Sequence, residues 1–111
     1  NIEFIQSDVY DSNFELPYAD IVHIDAGHSH EEVLFDINRC VDQLNKPTLI
    51  FDDVCEKLYP NGEVGKTIRT AIDESIDNGK ISIGKYIGES KGYTTGNEKV
   101  LLGREGMICN V

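Results

Sequence analysis

Three features of the sequence predict an α/β fold with a partly parallel sheet. Two short β-branched runs, Ala19 to Ile24 and Thr48 to Phe51, each end abruptly in acid, and an amphipathic helical stripe separates them. A second stripe runs from Val64 to Ile76, and further apolar runs follow at Ile81 to Ile87 and Lys99 to Leu102. Strand patterns that alternate with helical ones predict parallel neighbours, because the intervening helix returns the chain to the edge where the first strand began.

Taken in order, Ile2, Phe4 and Ile5 predict a short first strand that gives way to a loop marked by Asp11, Ser12, Asn13 and Pro17. The run from Asp20 to Ile24 is brief and almost continuously apolar, as in a strand buried on both faces, and His23 inside it reads as a packed core histidine. Ser29-His30-Glu31-Glu32 is a capping box that opens a helix. Val33, Leu34, Ile37, Cys40, Val41 and Leu44 form the stripe that faces the sheet, and Asn45-Lys46-Pro47 ends it. In the second helix Val64, Ile68, Ala71, Ile72 and Ile76 lie inward, with Asn78-Gly79 as the stop. The two last strands are joined by a polar loop carrying Gly88, Gly92 and Gly96. Met107-Ile108-Cys109 extends the final strand past a turn or bulge at Gly103 to Gly106.

Composition narrows the function. The chain has 111 residues and a net charge of −10, less than one typical domain in length and too acidic to favour a phosphate backbone, so nucleic acid is a poor partner. A hydrophobic content of 40% supports a packed core. No apolar run approaches the roughly 20 residues of a membrane span, and the first residues lack the pattern of a signal peptide. The expectation is a cytoplasmic protein without a membrane partner. Cys40, Cys55 and Cys109 form no CxxC pair and read as reduced, mostly buried side chains.

The strand to Ile24, the capped helix and the strand from Thr48 form one βαβ unit, whose crossover brings the two C-terminal strand ends to the same edge. Asp25 stands at one end and Asp52 with Asp53 at the other, in the crevice where open α/β sheets bind ligands. Carboxylates gathered without a basic residue close in sequence call for a cation or a proton, and oxygen donors suit Mg²⁺, Mn²⁺ or Ca²⁺ better than zinc. The same acids could instead cap the loops after their strands, and the residues alone leave both readings open. His28, three residues past Asp25, is placed to act as a general base. Asp8 follows the first strand as a nucleotide-contacting acid would, although a solvated turn is the commoner role for such a residue. The glycines from Gly88 to Gly96 form neither a GxGxxG nor a P-loop.

The run from Ala19 through Asp25-Ala26-Gly27-His28-Ser29-His30 to Val33, with Asp36 and Leu49-Ile50-Phe51-Asp52-Asp53, resembles the class I S-adenosylmethionine-dependent methyltransferases. It is most similar to the metal-dependent sugar and catechol-type O-methyltransferases. The resemblance implies a Rossmann-like sheet, mostly parallel with a C-terminal antiparallel strand pair. It covers residues 1–111 as a partial domain, from that fold's third strand to its C-terminus and lacking its first two strands. It implies that Asp25, Asp52 and Asp53 hold a divalent metal such as Mg²⁺, that His28 is the catalytic base, and that Asp8, Val9, Asp25 and Ala26 contact S-adenosylmethionine. The implied reaction is methyl transfer to the hydroxyl of a small molecule, with the metal lowering the pKa of that hydroxyl and His28 accepting its proton.

The pattern departs from the family at His30, where many relatives have Tyr, and at Lys46-Pro47-Thr48 before the next strand. The Gly-rich cofactor loop and the ribose-binding acid of the first two strands are absent, so Ile2 to Ile5 has no native neighbour in the sheet. Two function classes follow. One is the metal-assisted O-methyltransferase; the other is a non-catalytic α/β module that binds metal or completes its sheet in a homo-oligomer. A phospho-acceptor receiver domain is weaker, since Asp52-Asp53 comes too late in the chain.

Overall fold

A computed structural model of the chain describes residues 2–54, 63–88, 93–95, 98–100 and 106–111. The elements are β1 (Ile21–Ile24), α1 (His30–Gln43), β2 (Thr48–Phe51), α2 (Glu63–Asp77), β3 (Ser82–Ile87), β4 (Tyr93–Thr95), β5 (Glu98–Val100) and β6 (Gly106–Asn110). Four of the strands form a sheet in the order β1-β2-β6-β3, and β4 pairs with β5 in a separate antiparallel hairpin.

The expected α/β class is present, and the sheet is mixed. β1 and β2 are parallel, with Ile24 opposite Phe51, whereas β6 lies antiparallel to both β2 and β3. Two successive reversals leave β3 running in the same sense as β1 and β2. Residues Ser29 and Glu32 form the predicted capping box: the Glu32 amide donates to Ser29 Oγ at 3.2 Å and the Ser29 amide donates to Glu32 Oε2 at 3.0 Å. At the far end of α2, Gly79 adopts φ +72°. Its amide donates to the Ile76 carbonyl at 2.9 Å and the Lys80 amide donates to that of Ser75 at 3.0 Å, a Schellman stop.

The core lies between the sheet and the two helices, which pack against each other. Leu49, Phe51, Met107 and Cys109 from the sheet meet Val33, Ile37 and Cys40 from α1 and Ile68, Ala71 and Ile72 from α2. Fully burying each larger apolar side chain contributes about 1.5–3 kcal/mol. The buried Ser75 hydroxyl donates to the Ala71 carbonyl at 2.9 Å, so it adds no unpaired donor to this core.

Several expectations are corrected. Ile2 to Ile5 forms no strand: Ile2 and Phe4 are 101% and 88% exposed, because an extended segment without a ladder partner gains neither hydrogen bonds nor burial. β1 is buried on one face only. Val22 and Ile24 turn toward the helices, and period-two alternation puts Ile21 and His23 on the other side, both exposed. The expected core histidine is therefore a surface residue.

The run from Met107 to Cys109 is the middle of β6, a strand between β2 and β3, and belongs to a different sheet from β5 rather than extending it. Part of the expected Lys99–Leu102 strand is seen as β5, in the hairpin; Leu101 and Leu102 lie outside the described residues, as does Cys55. Gly106 fits β6 between its neighbours, since a Cβ there would stand 3.1 Å from both Ile87 Cβ and the Phe51 carbonyl oxygen. Among the described residues, no helix is long and apolar enough to cross a membrane.

Candidate metal centre and ligand cavity

Because β1 and β2 are parallel and in register, the residues that follow them emerge side by side. The β1 exit, Asp25-Ala26-Gly27-His28, turns straight into the N-cap of α1. A Cβ on Gly27 would lie 2.5 Å from both Tyr10 Oη and Glu32 Cβ, so only glycine fits this turn. The turn is also tied to α2. Thr67 Oγ1 donates to the His28 carbonyl at 2.6 Å, and His30 Nε2 lies 2.9 Å from Glu74 Oε2.

The result is a cluster in which Asp25, His28 and Asp53 each bring one donor atom within 4.8 Å of the others. His28 Nε2 is 3.8 Å from Asp25 Oδ1 and 3.9 Å from Asp53 Oδ2. Asp25 and His28 are exposed and Asp53 is half-buried, so the group opens to solvent. Asp53 has φ +53°, a left-handed conformation that Asp tolerates better than most residues, and its amide donates to Asp52 Oδ1 at 2.8 Å. Two carboxylates and one imidazole at this spacing suit a divalent cation bound mainly through oxygen.

Asp52 stands apart from this group. Adjacent residues leaving a strand point to opposite sides, and Asp52 lines a hollow of about 220 Å³ with His23, Ile50, Phe51, Ile87, Gly88 and Gly106. Only one acid of the expected pair thus joins Asp25 and His28.

A larger cavity of about 300 Å³ adjoins the cluster along β1 and α1. Val9, Asp25 and Ala26, three of the four residues expected at a cofactor, line it together with apolar Leu16, Val22 and Ile24. The fourth, Asp8, is exposed and forms a turn, its Oδ1 accepting from the Tyr10 amide at 2.9 Å.

Two polar lining residues carried no site role in the sequence, Arg39 and Asp36, the latter present only as a member of the methyltransferase-like motif. Asp36 lies three residues after Val33 and four before Cys40, a polar position on the flank of the buried stripe, and that was the available signal. Its Oδ2 is buried without a hydrogen-bond partner. Burial, then the Glu32 charge, pushes its carboxyl up to about 6, against a smaller opposing effect of Arg39. Arg39 spends its own donors on the chain. It donates to the carbonyls of Val9 and, at 2.8 Å, Asp11, with its guanidinium 5.1 Å from the Phe35 ring centre and 5.9 Å from that of Phe14. This strap holds the Val9 loop over α1 as the outer wall of the cavity.

No family model, no curated protein and no solved structure matches this chain.

Proposed function

We propose that the protein is part of a metal-assisted, S-adenosylmethionine-dependent O-methyltransferase acting on the hydroxyl of a small molecule. The observation that carries this reading is that Asp25 belongs both to the cation-ready cluster and to the wall of the 300 Å³ cavity. A ligand in the cavity and a cation at the cluster would therefore be neighbours, as transfer between them requires. The parallel β1, β2 and β3, with the C-terminal β6 antiparallel between β2 and β3, support the Rossmann-like reading of the sheet.

The donor set fits the proposed cation: Asp25 and Asp53 supply oxygens and His28 stands between them. A bound Mg²⁺ or similar ion would supply Lewis acidity that lowers the pKa of the acceptor hydroxyl. In this reading Asp25 and Asp53 would hold the ion, and His28, whose ring lies 3.8 and 3.9 Å from their carboxylates, is left to accept the hydroxyl proton.

The cavity also fits the charge of the proposed methyl donor. Arg39 is engaged with backbone carbonyls while Asp25 and Asp36 are acidic, so the walls suit a neutral or cationic nucleoside better than a nucleotide phosphate. Its volume is at the lower end of small-molecule sites and suits the nucleoside part.

Thermal melting of the chain with Mg²⁺, S-adenosylhomocysteine, both or neither tests the reading. A ligand at 100 times its dissociation constant adds about 2.7 kcal/mol, a readily measured shift. A joint shift larger than the sum of the separate ones is expected. Absence of any shift with S-adenosylhomocysteine, with or without Mg²⁺, overturns it.

A second reading, a non-catalytic module that completes its sheet through another chain, is favoured by one observation. β1 is an edge strand in the described sheet, and Ile21 on it is 63% exposed. Equilibrium sedimentation separates the two readings: a stable dimer with no response to S-adenosylhomocysteine supports the module.

A further inference from the structure

Residues 9–16 pass over the 300 Å³ cavity without belonging to any helix or strand, and Val9 and Leu16 are among the side chains that line it. Two tight turns shape the segment from within. The Asp11 amide donates to the Asp8 carbonyl and the Phe14 amide to that of Asp11, each at 3.1 Å. Among the described residues, its hydrogen bonds to the rest of the chain all come from side chains of α1. Arg39 donates to the Val9 carbonyl and, at 2.8 Å, to that of Asp11, and Gln43 Oε1 accepts from the Leu16 amide at 2.8 Å. The Tyr10 and Phe35 rings add a contact, 5.2 Å between their centres. A segment with no ladder bonds, docked through the side chains of one helix, opens at far lower cost than the core.

Arg39 carries two of those bonds and has a rival partner within reach. Asp36 stands three residues before it on α1, the spacing at which helical side chains meet, and both line the same cavity. The Asp36 carboxyl is half-buried and its Oδ2 has no hydrogen-bond partner. Burial and then the Glu32 charge raise its pKa, and the Arg39 charge opposes them. We infer that residues 9–16 are a lid on the cavity and that Arg39 is its latch, held by the Val9 and Asp11 carbonyls when the lid is closed and by the Asp36 carboxylate when it is open. A half-turn about the last side-chain bond of an aspartate exchanges its two oxygens, so either can meet the guanidinium. The closed state keeps two bonds to neutral carbonyls and the stacking of Arg39 on Phe14 and Phe35. The open state replaces them with one charge-assisted pair, so neither seat outweighs the other by much and the exchange is reversible. Entry to the cavity is governed in this way whatever it binds, and the inference does not depend on methyl transfer.

The test follows the exchange of single backbone amides with water by nuclear magnetic resonance, in the ligand-free full chain at about pH 8, where the Asp36 carboxyl is ionised. The Leu16 amide is the reporter, because its partner Gln43 lies across the docking surface. The Leu49 and Cys109 amides, in the core strands, report the fold as a whole. Arg39→Met keeps the apolar stem without the donors and is expected to speed Leu16 exchange by about tenfold, while the core amides show that the chain stays folded. Arg39→Lys, with the charge but not the fork, is expected to fall between Arg39→Met and the wild type. Asp36→Asn withdraws the charged second seat and is expected to slow Leu16 exchange by about threefold or more. In a chain that already carries Arg39→Met, adding Asp36→Asn is expected to leave Leu16 unchanged, because the two residues act through one contact. Leu16 exchange that Arg39→Met leaves at the wild-type rate overturns the latch. An Asp36→Asn effect that is missing, or that persists in the double variant, overturns the exchange of partners, since relief of Asp36 would then come from water and not from Arg39.

Discussion

The hydroxyl of Thr67 on α2 donates to the main-chain carbonyl of His28 at 2.6 Å, tying the second helix to the loop that carries two of the three clustered donors. The site is thus held from two directions. β1 fixes where the loop begins, and the capping box of α1 together with the Thr67 contact from α2 fixes where it ends.

Thr67→Val keeps the side-chain shape and removes this donor. The expected stability loss is about 1 kcal/mol, the net worth of one hydrogen bond, with a larger effect on the cluster than on the core. Chemical denaturation should show the small loss. Mn²⁺ titration followed by paramagnetic relaxation should show weaker binding, and unchanged cation affinity would mean that the loop is held without α2.

Asp53→Asn and Asp52→Asn should separate sharply although the two residues are adjacent. Loss of an outer-shell partner already weakens metal sites by about 10–100-fold, so replacing the charged Asp53 carboxylate with a neutral amide oxygen should raise the Mg²⁺ dissociation constant by at least about tenfold. Asp52 faces the other hollow and contributes only a nearby charge, so its variant should stay within about threefold of the wild type. Equal losses measured by calorimetry would place both carboxylates on the ion.

Ser29→Ala removes the side-chain oxygen that accepts from the Glu32 amide, and with it one half of the capping box. A loss of about 1 kcal/mol in denaturant unfolding is expected. Because Ser29 directly follows His28, amide exchange should quicken first in the turn from Ala26 to Glu31.

How much of this was legible in the sequence depends on which residues carried their own local signal. The helix between Ser29 and Leu44 announced its cap, its stripe and its stop, and the parallel pairing of β1 with β2 followed from that single crossover. Gly79 likewise marked the end of α2. Met107-Ile108-Cys109 did not announce its neighbours, because a three-residue apolar run states burial but not which strands flank it. His23 was misjudged because a continuous apolar run looks the same whether helices cover one face of the sheet or both. In the site, the shared edge of Asp25, His28 and Asp53 was readable from topology. The choice of Asp53 over Asp52 was not, since it turns on one residue of strand parity and a left-handed φ. Asp36 stood in the methyltransferase-like motif and on the flank of an apolar stripe, but neither signal gave it a place in the site, because its cavity is made by residues distant in sequence, Val9 and Leu16 among them.

Asp36 also sets a pH dependence whose sign follows from its environment. Its carboxyl is raised from an ordinary 3.8 to about 6, chiefly by burial and then by the Glu32 charge. In the folded chain it therefore holds its proton at pH values where the unfolded chain has released it. The relative stabilisation is fully present below about pH 4 and is lost as pH rises through about 6, because the ionised carboxylate is poorly accommodated. Asp36→Asn lacks this titration. Above about pH 7 the variant should be more stable than the wild type by about 1–2 kcal/mol, the upper limit being reduced because the side chain is only partly buried. Its advantage should shrink steadily between pH 7 and pH 4. Melting curves of the two proteins across this range check the point. An advantage that grows as pH falls would mean that the folded carboxyl is depressed, and that a partner for Asp36 already exists within the chain.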